Sequence, residues 1–343
     1  SARSNLSLAL GLFFRRATSG ISADAAARYN CRRSPRSQPR PGGTPMLALD
    51  RRQFLGQSVA ALGAAAVLAK PLAALQAAPA ITGAGSLVTL GKSGVKTSLL
   101  GIGTGSHGVQ RSSNQVKLGQ DKFNKLLGHA FDRGITYIDT ADQYGSHIFV
   151  REAIKAAKIP REKLFIQTKT RALNAEVAKA DLERFREELG TDYIDSLLMH
   201  CMTKQSWPTD MRPVMDVLDN AKAKKWVRAV GVSCHGLPPL QSAAVTDWID
   251  IDLARINPVG VKAVMDAAPE VVAPLLKQMH DKGKGILGMK VLGEGRFKTP
   301  EQQRESLKFV LGLGCVDAFV IGFESPKQID EICGLIEDVA KVA

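Results

Sequence analysis

From about residue 85 onward the chain alternates short apolar runs with amphipathic ones, and this alternation constrains the fold more than any other feature. Residues 135–139, 164–169, 194–200, 227–233, 249–255, 285–289 and 318–321 read as strands, with helical stretches between nearly all of them. Strands and helices in strict succession bury their apolar faces when the strands lie parallel and the helices cross over between them. A body of about 260 residues has the typical size of such a unit closed on itself. The expected fold is therefore α/β, a single (β/α)8 TIM barrel. Residues 87–90 and 97–102 flank a turn-rich 91–95, which predicts an N-terminal β-hairpin that caps the barrel floor and runs into the first strand. Phe123, Leu126, Leu127, Ala130 and Phe131 repeat with helical spacing, Asp121 being placed to cap the start and Gly134 the stop. A doubly wound sheet is the runner-up. It would need G-x-G-x-x-G opening a helix behind an early strand, and Gly101-Ile102-Gly103-Thr104-Gly105 has neither that spacing nor a helix directly behind it.

The net charge of +13 suggests a nucleic-acid partner until its position is considered. Eleven of the 46 basic residues but only two of the 33 acidic ones, Asp24 and Asp50, precede residue 81. The remainder carries 35 against 31, an ordinary solvated surface that gives no reason to expect phosphate-backbone binding. Cys31, Cys201, Cys234, Cys315 and Cys333 form an odd set without a C-x-x-C pair, so a disulfide framework is not expected.

Residues 1–45 hold eight arginines and no lysine, and Met46 follows just before an export-like segment. They read as a leader of translated upstream sequence. An organelle transit peptide fits that composition but not the segment behind it. Arg51-Arg52-Gln53-Phe54-Leu55 leads into a run of mostly small apolar residues to Ala69, then Lys70, Pro71 and the cleavage-like Ala78-Pro79-Ala80. Residues 46–80 resemble a twin-arginine signal peptide, which implies the twin-arginine export machinery as a partner and a periplasmic destination, cytoplasmic if the signal is unused. The run is shorter and more alanine-rich than a spanning helix, so no stable membrane span is expected once it is removed near Ile81. The route exports folded proteins, which suits an enzyme that must carry a dinucleotide with it. The barrel is expected to occupy residues 81–343.

Asp139, Lys169 and His200 each end an expected strand, and Tyr144 lies in the loop behind the first of these. Barrel strands bring their C-terminal ends together at one mouth, so these residues would converge although distant in sequence. Singly, each has an ordinary structural role: a turn carboxylate, a rim charge, a core histidine, a loop-packing ring. Together they carry chemistry. Residues 134–145, 167–169 and 189–200 are similar, in order, to the signature, lysine and histidine segments of the aldo/keto reductase family, and the likeness spans roughly residues 87–342.

That resemblance implies hydride transfer between a nicotinamide cofactor and a small-molecule carbonyl or alcohol, with Asp139, Tyr144, Lys169 and His200 catalytic. Carbonyl reduction needs a proton for the oxygen, and an unassisted tyrosine of pKa about 10 is a poor donor and a worse base. A nearby Lys169 ammonium is expected to lower the Tyr144 pKa, with Asp139 holding the lysine charged and in place. His200 is expected to hydrogen-bond the carbonyl oxygen.

The same resemblance assigns the cofactor contacts. Ser233 is similar to the residue that binds the nicotinamide carboxamide, although Cys234 and Leu253 replace the amides common beside it. Met289 stands where an aromatic ring commonly stacks, with Lys290 and Leu292 next to it. Residues 293–296 look like the loop over the pyrophosphate, Gly293 and Gly295 permitting close backbone approach and Arg296 supplying charge. Ser325 and Pro326 read as the N-cap and first turn of a last helix whose amino end suits a phosphate, with Ile329, Ile332 and Ile336 as its apolar face. Lys327, Gln328 and Glu331 are assigned to the adenosine phosphate, and NADP(H) is expected in preference to NAD(H).

Cys201, Cys234 and His235 could approach a metal at the barrel mouth, but neighbours along a strand point to opposite faces and no metal site is expected. His107, His129, His147 and His280 are expected at the surface or as caps. Trp207 either walls the carbonyl pocket or packs against its loop. A barrel that binds nicotinamide as a redox sensor or docking module is the alternative to an enzyme. A glycosidase is excluded by the want of two strand-end acids able to flank a glycosidic bond.

Overall fold

Gly91 (φ +50°) and Gly94 (φ +67°) adopt a backbone conformation that side chains resist, and they turn the chain between β1 (Leu87–Leu90) and β2 (Val95–Ser98), an antiparallel pair. A Cβ on Gly91 would lie 2.4 Å from the Gly283 carbonyl oxygen, so glycine also lets the hairpin seat against the barrel floor, where Lys92 N–H donates to that oxygen at 2.7 Å. The computed structural model describes residues 81–341. The expected leader, 1–45, and signal, 46–80, lie outside the described residues.

Eight parallel strands follow: β3 (Leu100–Gly103), β4 (Tyr137–Asp139), β5 (Phe165–Thr170), β6 (Ile194–Met202), β7 (Val227–Cys234), β8 (Ile251–Arg255), β9 (Gly285–Met289) and β10 (Ala318–Gly322). They close in the order β10-β3-β4-β5-β6-β7-β8-β9, which is the expected (β/α)8 barrel with its hairpin and rules out the doubly wound sheet. Strand alternation splits the core in two. Tyr137, Phe165, Leu198, Ala229, Leu253, Leu287 and Val320 fill the barrel over Leu90 and Val95 from the hairpin. Ile138, Ile166, Leu197, Val230 and Ile286 face outward and pack with the apolar stripes of the helices. Gly101 makes room for the largest interior ring, since a Cβ there would lie 2.3 Å from Tyr137.

Helix ends carry local signals. Asn174 accepts from Val177 N–H ahead of the helix Ala175–Leu189, which Gly190 stops at φ +64°. Thr299 and Gln302 form a reciprocal capping box on Pro300–Gly312. Two local expectations change. The single strand expected over 97–102 is interrupted at Leu99, because Ser98 completes the hairpin and Leu100 begins the barrel. The helix Gln120–Asp132 starts behind Gly119 (φ +79°), so Asp121 lies inside its first turn, where its charge meets the helix dipole, and is not the cap.

Candidate active site

The four expected residues come together at the C-terminal ends of β4, β5 and β6. Asp139 and Lys169 point inward from adjacent strands, and the lysine Nζ donates to Asp139 Oδ1 at 2.6 Å and to the Thr140 carbonyl at 2.9 Å. Gln167 donates to the same Asp139 oxygen at 2.7 Å and to Tyr137 Oη at 2.9 Å, so the pair is held from below. Behind β4 a helical turn, Asp142–Tyr144, closed by Gly145 at φ +67°, folds Tyr144 back over the mouth. Its ring lies in a slot made by glycine. A Cβ on Gly105 would lie 2.3 Å from the ring and one on Gly108 2.4 Å. The glycine-rich stretch behind β3 therefore serves the tyrosine. Lys169 Nζ stands 5.0 Å from the Tyr144 ring centroid, and the His200 ring meets that ring edge-on at 5.7 Å.

His200 does not end its strand. β6 continues to Met202 with a register shift against β7 between Met199 and Met202, and Cys201 there adopts φ +60°. This bulge brings the Cys201 N–H to Ser233 Oγ at 3.2 Å and Cys201 Sγ to His235 Nε2 at 3.5 Å. Ser233 is fully buried and accepts that N–H, and it does not line the cleft described below. Cys234 packs outward among the helices, away from Cys201 and His235.

Burial governs the electrostatics. It pushes the Tyr144 phenol well above its ordinary pKa, and the Asp139 carboxylate adds to the rise. Burial outweighs the lowering expected from Lys169, whose ammonium is engaged by Asp139 and Thr140. Burial also lowers the lysine, with Asp139 opposing. His200 is held well below the usual histidine range by burial and by the charges of Lys169 and Arg171, and its Nδ1 has no hydrogen-bond partner among the described residues. His235 falls to about 3 through burial and the Arg255 and Lys290 charges. At neutral pH both imidazoles are uncharged and Tyr144 holds its proton.

A cleft of ≈ 320 Å³ extends from Asp139 and Tyr144 to the amino end of the helix Pro326–Ala340, a volume in the range of ligand sites. Of the expected cofactor residues, Met289, Lys290, Leu292, Gly295, Gln328 and Glu331 line it. Ser233, Gly293, Arg296, Ser325 and Lys327 do not. Gly293 is buried within the turn, while Ser325 caps the helix by accepting from Gln328 N–H. Lys290 is paired with Glu294, and Arg296 turns back to the Gly293 carbonyl at 3.1 Å, with Glu294 at 3.8 Å. Lys290, and Arg296 that was expected to face a pyrophosphate, are thus drawn to a carboxylate of their own loop.

Glu324, whose negative charge in the loop before the last helix is apparent from the sequence, lines the cleft wall, as does His107, expected only at the surface or as a cap; sequence reasoning missed Phe323 on that wall and Arg255 behind it. Arg255 was accessible by counting: two residues beyond inward-facing Leu253, it points to the mouth, where Asp266 holds it at 2.9 Å. His147 is buried, not a surface residue, and bonds Glu188 and Thr168, each at 2.7 Å. Trp207 is buried in the outer core with its indole donating to the Pro239 carbonyl at 3.1 Å, so it packs against its loop and does not wall the cleft.

Residues 99–311 match the model of the aldo/keto reductase family. Glycerol 2-dehydrogenase (NADP(+)) of Saccharomyces cerevisiae is 29% identical over 141 residues, covering 40% of this chain and 43% of its own. An NAD/NADP-dependent indole-3-acetaldehyde reductase of Schizosaccharomyces pombe is 32% identical over 158 residues, covering 45% and 52%. The chain thus spans about half the length of these curated relatives or less. Among solved structures, an aldo-keto reductase of Bacillus halodurans in its holo form shares the fold with a TM-score of 0.58 at 20% identity, over 75% of this chain and 97% of the other. One from Klebsiella pneumoniae in complex with NADPH gives 0.57 at 15%, over 74% and 90%.

Proposed function

Because the chain belongs to the aldo/keto reductase family, we propose that it is an oxidoreductase that reduces the carbonyl group of a small molecule with a nicotinamide dinucleotide, Tyr144 being the proton donor. The observation that carries this is the buried Lys169–Asp139 pair beneath a protonated Tyr144, with a neutral His200 against the same ring at one end of a long cleft. The cleft suits an extended ligand. Gly295, at φ +80° with nothing within 4 Å of a Cβ position, leaves one wall open to close approach, and Met289 offers a thioether at the tyrosine end. When bound, the nicotinamide supplies the hydride.

The chain's own groups do the rest. His200, neutral and with Nδ1 buried, donates to the carbonyl oxygen from Nε2 and orients it without adding a charge. Tyr144 holds its proton until negative charge develops on that oxygen and then passes it on. Lys169 stabilises the phenolate left behind, since its ammonium already stands within cation–π range of the ring. Asp139 and the Thr140 carbonyl keep the ammonium in place. A phenol held up by burial stays protonated, the form that reduction needs, but is a weaker acid than an ordinary one, so its proton moves only as negative charge develops on the oxygen.

The test is a titration of the full chain with NADH and NADPH, followed by a panel of aldehydes beside Tyr144→Phe. Nucleotide oxidation that falls by about 10²–10⁴ in the variant, at unchanged nucleotide affinity, is the expected result. Binding without turnover on any aldehyde would favour a redox-sensing or docking role, and binding of neither nucleotide would remove the assignment of the cleft.

A further inference from the structure

The cleft is unevenly charged along its length. A hydride must reach the carbon whose oxygen takes the Tyr144 proton, so a nicotinamide lies at the tyrosine end and the adenosine at the other. That far end, where the helix Pro326–Ala340 begins, is walled by Glu324, Gln328 and Glu331, and among the described residues no arginine lines the cleft. Glu324 is fixed rather than free to swing away: its Oε1 accepts from Asn114 Nδ2 at 2.7 Å, while its own N–H donates to Gln328 Oε1 at 2.7 Å. Lys327, the adjacent cation, lies outside the wall with its side chain 85% exposed, 3.7 Å from Glu331. Lys290, which does line the cleft, is held by Glu294.

The two nicotinamide dinucleotides differ at this end alone. One presents a ribose diol, the other a 2′-phosphate with between one and two negative charges added. A carboxylate accepts hydrogen bonds from a diol and repels a phosphate, and the repulsion acts over about 10 Å at moderate salt. Resting on the assignment of the cleft to a nicotinamide dinucleotide, we propose that Glu324 makes its adenosine end select NAD(H) over NADP(H), the reverse of the preference expected from the family resemblance. Asn114 positions the Glu324 carboxylate, and Glu331 reinforces the sign.

Calorimetric titration of the full-length protein with NADH, NADPH, AMP and 2′-phospho-AMP at two salt concentrations tests this independently of turnover. NADH is expected to bind about tenfold or more tightly than NADPH, with AMP and its 2′-phosphate ranked the same way, and the gap should narrow as salt rises. Glu324→Gln should narrow the gap by strengthening NADPH, and Glu324→Lys should close or reverse it, with circular dichroism showing both variants folded. Equal or tighter binding of NADPH by the natural chain overturns the proposal, as does a gap that Glu324→Gln and Glu324→Lys leave unchanged. Failure to bind either nucleotide would instead overturn the assignment of the cleft.

Discussion

A residue that gives up a proton must first hold one, and Tyr144 holds it through burial and the neighbouring Asp139 carboxylate. The sign sets the pH dependence: a phenol raised above its ordinary pKa of about 10 stays protonated throughout the physiological range. Reduction is therefore expected to show no loss attributable to Tyr144 below about pH 10, whereas the reverse reaction should climb with pH over the same span. A pH profile of both directions checks this, and a reductive rate that falls near pH 7 with a Tyr144-dependent limb would contradict it. Gly105 supplies a second prediction at this scale. The Cβ of Gly105→Ala would enter the Tyr144 ring and push it from its slot, costing about 1–3 kcal/mol of stability and lowering turnover more than nucleotide affinity. Full turnover in this variant would show that the slot does not position the ring.

At the scale of the strand, alternation decides which residues meet the site and which meet the helices. In β8, Leu253 and Arg255 face inward while Asp252 faces the helix layer, where both of its oxygens are buried without a partner. Burial pushes its carboxyl up to about 7, Asp266 adding to the rise and Lys284 opposing it, with Cys234 also nearby. An Asp with a raised folded-state pKa keeps its proton in the folded protein over a range where the unfolded chain has lost it, so stability falls as pH rises from about 4 to about 7. The full loss above that window is on the order of 4 kcal/mol. Denaturant unfolding at pH 4.5 and pH 8 should show this trend weakened in Asp252→Asn, whose side chain does not titrate; an unchanged trend would assign it to other groups. The β6 bulge is the other strand-level device, because its extra residue brings Cys201 N–H onto Ser233 Oγ beside His200.

At the scale of the whole chain, closure converts a list of strand ends into one site. Asp139, Lys169 and His200 are 30 and 31 residues apart along the sequence and become neighbours because β4, β5 and β6 are adjacent and parallel. The twin-arginine-like segment places a further expectation at this scale: a folded, nucleotide-loaded enzyme delivered to the periplasm. Fractionation of cells expressing the full chain should find it exported, and Arg51→Lys with Arg52→Lys should retain it in the cytoplasm. Export indifferent to that double change would assign delivery to another route.

The alternation of apolar runs by itself determined a parallel sheet with crossover helices, because such strands must bury both faces, and the size of the body and the want of a G-x-G-x-x-G favoured its closure as a barrel. The hairpin and the four residues at the mouth were legible for the same reason, strand ends in a barrel being neighbours by geometry. What only the tertiary structure decided lies where distance and dielectric matter. The sense of the Tyr144 shift depends on how deeply the ring is buried and on whether Lys169 reaches its phenol or is engaged by Asp139, which no spacing encodes. Ser233 accepts the Cys201 N–H through a bulge that the run of apolar residues around it conceals. Arg296 reads as a phosphate ligand until the fold of its own turn sets Glu294 between it and Lys290, and the acidic wall at Glu324 and Glu331 exists only once a loop and a helix end meet in space.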